Sequence, residues 1–233
     1  MGYKIISIQS RTGHQLAPAT GDMEKISYQD RVTLKAGLIP FDWHFGLPTL
    51  KAEHVTLREV RSADAPALMA MLTTEEVAEF VSPLPRTLEG FEAFIADAHH
   101  DRTRGNSFCF GVVPEGYEDA MGLFQVRQLE PGFGSAEWGF AIGSPFWGRG
   151  LFVEGAKAVI DFSFGTVGAN RLEARSIASN ARGNAALRKV GAFQEGILRR
   201  SFQRHGRYFD QILWSILKDD WRQPNAVLAP KFH

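Results

Sequence analysis

From Ala136 to Leu151 the chain reads as a strand that passes through a Gly-x-Gly loop, Gly148-Arg149-Gly150, straight into an apolar helix. This junction narrows the fold more than any other segment. Gly148 and Gly150 carry no side chain, so the backbone N–H groups between them can close around an anion, and the following helix points the positive end of its dipole at the same place. Along the strand, Ala136, Trp138, Phe140 and Ile142 alternate with Glu137, Gly139, Ala141 and Gly143. One face is bulky and suits a core; the other is nearly bare, with Glu137 at one end. A bare strand face predicts that an extended ligand or another backbone packs there. The helix predicted from Leu151 to about Phe164 is polar only along Glu154, Lys157 and Asp161, so most of it is expected to be buried.

Other phosphate-binding motifs do not fit the spacing. A dinucleotide fingerprint needs a third glycine where Val153 stands, and a P-loop needs a Gly-Lys-Ser/Thr triplet that does not follow. A tight turn with no ligand is the plainer reading of the tripeptide taken alone.

Longer fragments resemble the GNAT superfamily of N-acetyltransferases, in particular its RimJ/RimL-like branch of ribosomal-protein N-terminal acetyltransferases. They are Leu47-Pro48-Thr49-Leu50 with Val55-Thr56-Leu57-Arg58, Glu137-Trp138-Gly139-Phe140, Phe146-Trp147-Gly148-Arg149-Gly150, Asn170-Arg171-Leu172-Glu173-Ala174, Asn180 with Arg182-Gly183-Asn184, and Lys189-Val190-Gly191-Ala192 leading to Glu195-Gly196-Ile197-Leu198-Arg199. The similarity runs from about Leu47 to Trp221. It implies the α+β GNAT (acyl-CoA N-acyltransferase) fold, a mixed, mostly antiparallel sheet of about seven strands flanked by helices. It also implies acetyl-CoA as cosubstrate, with the pyrophosphate held by Trp147, Gly148, Arg149, Gly150, Leu151 and Phe152. The pantetheine arm is expected against Phe140, Ala141 and Ile142, with a further contact from Asn180. The superfamily's Arg/Gln three positions before Gly148 is replaced by Pro145.

Acetyl transfer to a primary amine requires a proton acceptor, because only the neutral amine attacks a thioester. Glu137 resembles the strand-four glutamate that part of the family uses in that role; a cross-strand ion pair, for instance with Arg171 or Arg175, is the structural alternative. A strand N–H could stabilise the developing oxyanion. No familiar general acid is present: Leu187 and Gly183 stand where relatives often place Tyr or Ser. Asn180 or Asn184 could assist the leaving thiolate, although Gly183 and Asn184 equally suit a helix start.

The acceptor is expected to be a protein N-terminal amine. A polyamine, amino acid or antibiotic is the alternative, as is a non-catalytic acyl-CoA-binding module. Its walls are expected near Glu75–Pro85 and the basic hairpin Arg199–Tyr208, with Glu76, Glu79 and Glu89 supplying the opposite charge. Cationic and acidic residues balance at 26 each, which argues against nucleic-acid or membrane partners. Cys109 is the sole cysteine, read as a buried apolar residue, and with no signal pattern or membrane-length apolar run a cytoplasmic monomer or homodimer is expected. The seven histidines form no metal pattern, and His205 with Gly206 reads as a hairpin turn.

Strands are predicted at Val55–Arg61, Ser107–Val113, Met121–Gln128, Ala136–Gly143, Arg171–Ala178, Glu195–Gln203 and Tyr208–Leu217. Helices are predicted at Ala63–Leu72, Glu75–Val81, Leu88–Arg104, Leu151–Phe164 and Asn184–Val190. Residues 1–46 read as an appended arm packing through Trp43 and Phe45, with a short strand at Tyr3–Gln9; residues 47–222 form the catalytic domain and 223–233 a tail.

Overall fold

The computed structural model describes residues 41–81 and 84–222. The expected strand Tyr3–Gln9 and the tail from residue 223 lie outside them. Eight strands form one sheet: β1 (Leu50–Lys51), β2 (Val55–Glu59), β3 (Ser107–Pro114), β4 (Gly122–Gln128), β5 (Ser135–Ile142), β6 (Arg171–Ile177), β7 (Phe193–Arg204) and β8 (Arg207–Leu217), in the order β1-β2-β3-β4-β5-β6-β8-β7. Each neighbouring pair is antiparallel except β5 and β6. The helices are α1 (Ala65–Leu72), α2 (Glu75–Ala78), α3 (Leu88–Thr103), α4 (Leu151–Phe162), α5 (Ala181–Lys189) and α6 (Lys218–Arg222).

Period-two patterning splits the sheet between two cores. Phe108, Phe110, Phe124, Val126, Trp138 and Ile142 pack with Leu151, Ala156, Val159 and Ile160 of α4. On the opposite face Cys109, Val113, Leu123 and Ala141 pack with Leu68 and Leu72 of α1 and Phe91, Phe94 and Ile95 of α3. Cys109 is the buried apolar residue expected, and burial pushes its thiol well up. At Gly155 the helix α4 comes so close to the sheet that a Cβ would lie 2.7 Å from Phe124 Cε2.

Trp43 packs into the α4-side core, with ring centroids 5.6 Å from both Phe108 and Phe133, while Phe45 is 87% exposed. The carbonyls of Trp43 and His44 accept from Arg102 Nη1, so this end of the leading segment is fastened to the domain. The β2–α1 corner is tied by a bidentate pair: Arg58 donates to Asp64 at 2.8 and 2.7 Å, and Asp64 also accepts from Arg61 N and Ala120 N. Such saturation of both partners is what makes a buried ion pair tolerable.

Candidate active site

The lone parallel ladder sets the site. β5 and β6 pair only over Ser135↔Arg171, Ala136↔Leu172 and Glu137↔Glu173, and then diverge. From Trp138 onward the β6-facing edge of β5 has no strand partner, and a cleft of about 1090 Å³ opens between the strands. Its lining includes Phe140, Ala141, Ile142, Trp147, Gly148, Gly150, Leu151, Phe152 and Asn180, so nine of the expected cofactor residues converge there. Arg149 is not part of the lining; its guanidinium lies 5.7 Å from the Phe146 ring.

At one end of the cleft, Gly148 and Gly150 have φ of 77° and 84°, the left-handed region that glycine enters without a Cβ penalty. Gly150 is the N-cap of α4 and offers no side-chain cap; its carbonyl accepts from Val153 N and Glu154 N, so the N–H groups left for a ligand are those of Leu151 and Phe152. An uncapped, positively polarised helix start facing a cleft fits a phosphate group. Glu154 sits in this first turn, but its carboxylate is turned to His54, accepting from the backbone N at 2.8 Å and lying 2.9 Å from Nδ1. With Glu53 these two place carboxylate and imidazole ligand atoms within 4.8 Å of one another; none of the three lines the cleft, although Glu154 Oε1 would lie 3.6 Å from a Cβ on Gly150.

The bare strand face is occupied differently from expectation. Ala141 is buried in the α1/α3 core, and a Cβ on Gly143 would lie 3.0 Å from Met71, so α1 fills that end. The ligand-facing feature is the free edge of β5, whose Ile142 carbonyl already accepts from Trp147 Nε1 at 2.8 Å.

Glu137 is fully buried and pairs across the β4–β5 ladder with Arg127, whose Nη2 donates to Oε2 at 2.6 Å. The partner is therefore neither Arg171, which binds Glu173 and Glu195, nor Arg175. Burial pushes the Glu137 carboxyl up to about 7, more than Arg127 and the nearby Arg175 lower it. Its Oε1 is buried without a hydrogen-bond partner among the described residues. Glu137 stands one residue behind Trp138, where the cleft lining begins, and is not itself part of that lining.

Asn180 is the N-cap of α5: its Oδ1 accepts from Gly183 N at 2.8 Å, which leaves Nδ2 for a ligand. A Cβ on Gly183 would come within 2.6 Å of that Nδ2, so glycine there keeps the cap intact. Asn184 lies inside the helix, donates to Ile177 O at 3.0 Å and accepts from Trp214 Nε1 at 3.0 Å; it holds α5 to the sheet and is not a cap. Leu187 is buried in the α4-side core as well as lining the cleft.

Of the expected acceptor walls, Glu76, Val77, Glu79, Phe80 and Val81 line the cleft, whereas no residue of Arg199–Tyr208 does. The hairpin instead braces that wall, with Arg204 Nη1 donating to Glu79 O. It turns at His205-Gly206, both at positive φ, the backbone of a tight two-residue hairpin. Sequence reasoning missed Arg182, whose guanidinium lies 3.7 Å from the Trp147 ring centroid, and Lys189; both line the cleft. Position 182 stands two residues from Asn180, a clue of proximity, but nothing in the sequence shows a stack on Trp147.

The model of the Acetyltransferase (GNAT) domain family matches residues 54–192. The uncharacterized N-acetyltransferase p20 of Bacillus licheniformis is 26% identical over 75% of this chain and 99% of its own length. Among solved structures, the ribosomal-protein-S5-alanine acetyltransferase of Vibrio fischeri superposes with a TM-score of 0.67 at 23% identity, over 75% of this chain and 98% of that one. The microcin C7 self-immunity acetyltransferase MccE, solved with acetyl-CoA and AMP, gives 0.63 at 17% identity, over 71% and 93%.

Proposed function

The chain belongs to the GNAT acetyltransferase family, and on that premise we propose that it acetylates a protein N-terminal amine, with Glu137 as the general base. The observation that carries this reading is the fork where the β5–β6 ladder ends at Glu137, with the Gly148–Gly150 cradle at the other end of the same β5–α4 segment. Acetyl-CoA, when bound, supplies a thioester carbonyl activated toward attack. The uncapped N–H groups from Gly148 to Phe152 would hold its pyrophosphate, and the free edge of Phe140 to Ile142 would run beside the pantetheine arm.

Glu137 would take the amine proton on Oε1, the oxygen left without a partner, while Arg127 keeps Oε2 fixed. A carboxyl near neutrality suits that task, since it is half deprotonated at working pH and basic enough to draw a proton. Because Glu137 lies behind the lining, the proton would reach it through an intervening water. No side chain of acid character stands at Leu187 or Gly183, so Asn180 Nδ2 would stabilise the leaving thiolate and solvent would protonate it. The likeness in fold to the S5-alanine enzyme of Vibrio fischeri supports a peptide amine. Glu76 and Glu79 in the cleft wall favour a second reading, a cationic small amine.

Calorimetric titration with acetyl-CoA, followed by thiol release from a panel of N-terminal peptides, amino acids and polyamines, tests this. Turnover with peptides above the other acceptors is expected; turnover with polyamines alone would replace the acceptor, and no acetyl-CoA binding would remove the cradle.

A further inference from the structure

The fork holds a cation, Arg175, whose buried Nε has no hydrogen-bond partner among the described residues. Arg175 stands on β6 two residues beyond Glu173, the last residue of that strand to pair with β5. It therefore shares a sheet face with Glu173 and Glu137, the face that packs against α1 and α3 elsewhere in the sheet. Arg175 lines the cleft, and its Nε is buried with no hydrogen-bond partner among the described residues.

Other arginines near the sheet each hold a carboxylate, although Arg127 also keeps a buried Nε without a hydrogen-bond partner among the described residues. Arg58 holds Asp64, Arg102 holds Glu59, Arg127 holds Glu137, and Arg171 holds Glu173 and Glu195. On this face Glu173 and Glu137 are each engaged by one arginine, and of the two only Glu137 keeps a buried oxygen, Oε1, without a hydrogen-bond partner among the described residues. Arg182, the next cation along the cleft, is stacked on Trp147 beside the cradle. Arg175 is half-buried, and its Nε is a donor withdrawn from water; such an N–H left without a partner is costly, and a charge-assisted bond to a ligand oxygen removes that cost.

We propose that Arg175 is an acceptor-anchoring residue. It donates to a carbonyl or carboxylate oxygen on the carbon next to the reacting amine, so the enzyme selects α-amino carbonyl compounds over plain amines. The inference rests on the acetyltransferase reading above. The amine must reach the fork where Glu137 waits, and Arg175 is close enough to Glu137 for its charge to act on that carboxyl. An α-amino carbonyl acceptor can turn its amine toward Glu137 and its oxygen toward Arg175, two residues along β6 from the residue paired with Glu137, whereas a polyamine brings a second cation toward Arg175 and is repelled.

The test compares wild type, Arg175→Gln and Arg175→Lys on three acceptors: an amidated peptide with a free N-terminus, a free amino acid, and a diamine. In the glutamine variant, the ratio of kcat/KM for the peptide over the diamine should fall roughly 10- to 100-fold, with the loss in KM, and lysine should restore part of it. A larger loss for the free amino acid than for the peptide would assign the oxygen to a carboxylate; the reverse would assign it to the peptide carbonyl. Acetyl-CoA affinity, measured calorimetrically on each variant, should stay at the wild-type value, which separates an acceptor defect from misfolding.

Equal losses on all three acceptors, with the acid limb of the pH profile displaced, would overturn the proposal by showing that Arg175 acts only on Glu137. So would a wild type that acetylates the diamine alone, and in that case the acetyltransferase reading would stand. Failure of wild type to bind acetyl-CoA would take down both.

Discussion

At the scale of single residues, Glu137 carries two measurable consequences. As the base, its pKa near 7 should set the acid limb of kcat/KM, with the rate rising as pH climbs through that value. Glu137→Gln should flatten the limb and lower kcat about 10²- to 10⁴-fold; an unchanged pH–rate profile would remove Glu137 from the mechanism. Folding gives an independent readout. The folded carboxyl titrates near 7 against a reference of 4.5, so the native state binds the proton more tightly than the unfolded chain. That stability is complete below pH 4.5 and lost as pH rises through 7, a decline of about 3 kcal/mol for a shift of this size. Denaturation midpoints of wild type should show the decline, and those of Glu137→Gln should not. Arg127→Met removes the neighbouring cation, so the acid limb should move to higher pH by about a unit or more; a limb that stays in place would show that the pair does not tune the carboxyl. Glu137 itself was legible from the alternation of β5, but Arg127 was not. Which residue of β4 faces Glu137 depends on the register of the β4–β5 pair, which the connection through Pro131–Phe133 sets and no local pattern announces.

At the scale of elements, β5 and α4 emerged from the sequence nearly as they stand because their periods are unambiguous and glycines mark the junction. The errors are physical in origin. The predicted helix to Phe164 ends as an α-helix at Phe162 and continues as a wider turn over Ser163–Val167, where Ser163 Oγ donates back to Val159 O. The start of α5 was placed three residues late because Asn184 suits a cap as well as Asn180 does, and only the tertiary bond from Trp214 Nε1 decides between them. β1, two residues long, has too little sequence for a period at all. Two substitutions probe the α4 and α5 starts. A Cβ at Gly148 would meet no atom within 4 Å, so Gly148→Val strains the backbone at φ 77° without a clash. It should weaken acetyl-CoA at least about tenfold by calorimetry, since a branched side chain disfavours φ above zero at the cradle; intact affinity would mean that Gly148–Gly150 is only a turn. Gly183→Ser puts a Cβ against Asn180 and should dislodge the cap, costing about 1 kcal/mol in unfolding free energy.

At the scale of the whole molecule, function follows from one departure in an otherwise antiparallel sheet. A parallel pair requires a crossover, which α4 supplies between β5 and β6, and the two strands stay together for only three residue pairs before parting. Fragment likeness from Leu47 to Trp221 was enough to anticipate this fold, because the order of the motifs repeats the family's; the splay, the Arg182–Trp147 stack and the buried Arg175 Nε, without a hydrogen-bond partner among the described residues, arise from parts distant in sequence and had no signal there. The cleft is therefore bounded by two parts of the chain, α2, β5 and α4 on one side and β6 and α5 on the other, which meet along that short ladder, between α4 and α5, and in the α4-side core. A ligand that fills it should bind only the folded state and couple the two parts. At acetyl-CoA about 100 times its Kd, linkage predicts about 2.7 kcal/mol of added stability and a Tm rise of roughly 5–10 °C for a chain of this size. Arg182→Ala, which removes the contact between the two rims at Trp147, should reduce that rise at the same ligand concentration while leaving the ligand-free Tm within about a few degrees, because a partly exposed cation–π pair contributes only about 1 kcal/mol. Thermal denaturation with and without acetyl-CoA measures both quantities. Equal rises in variant and wild type would mean that the two rims bind independently and that the cleft is not closed by Arg182.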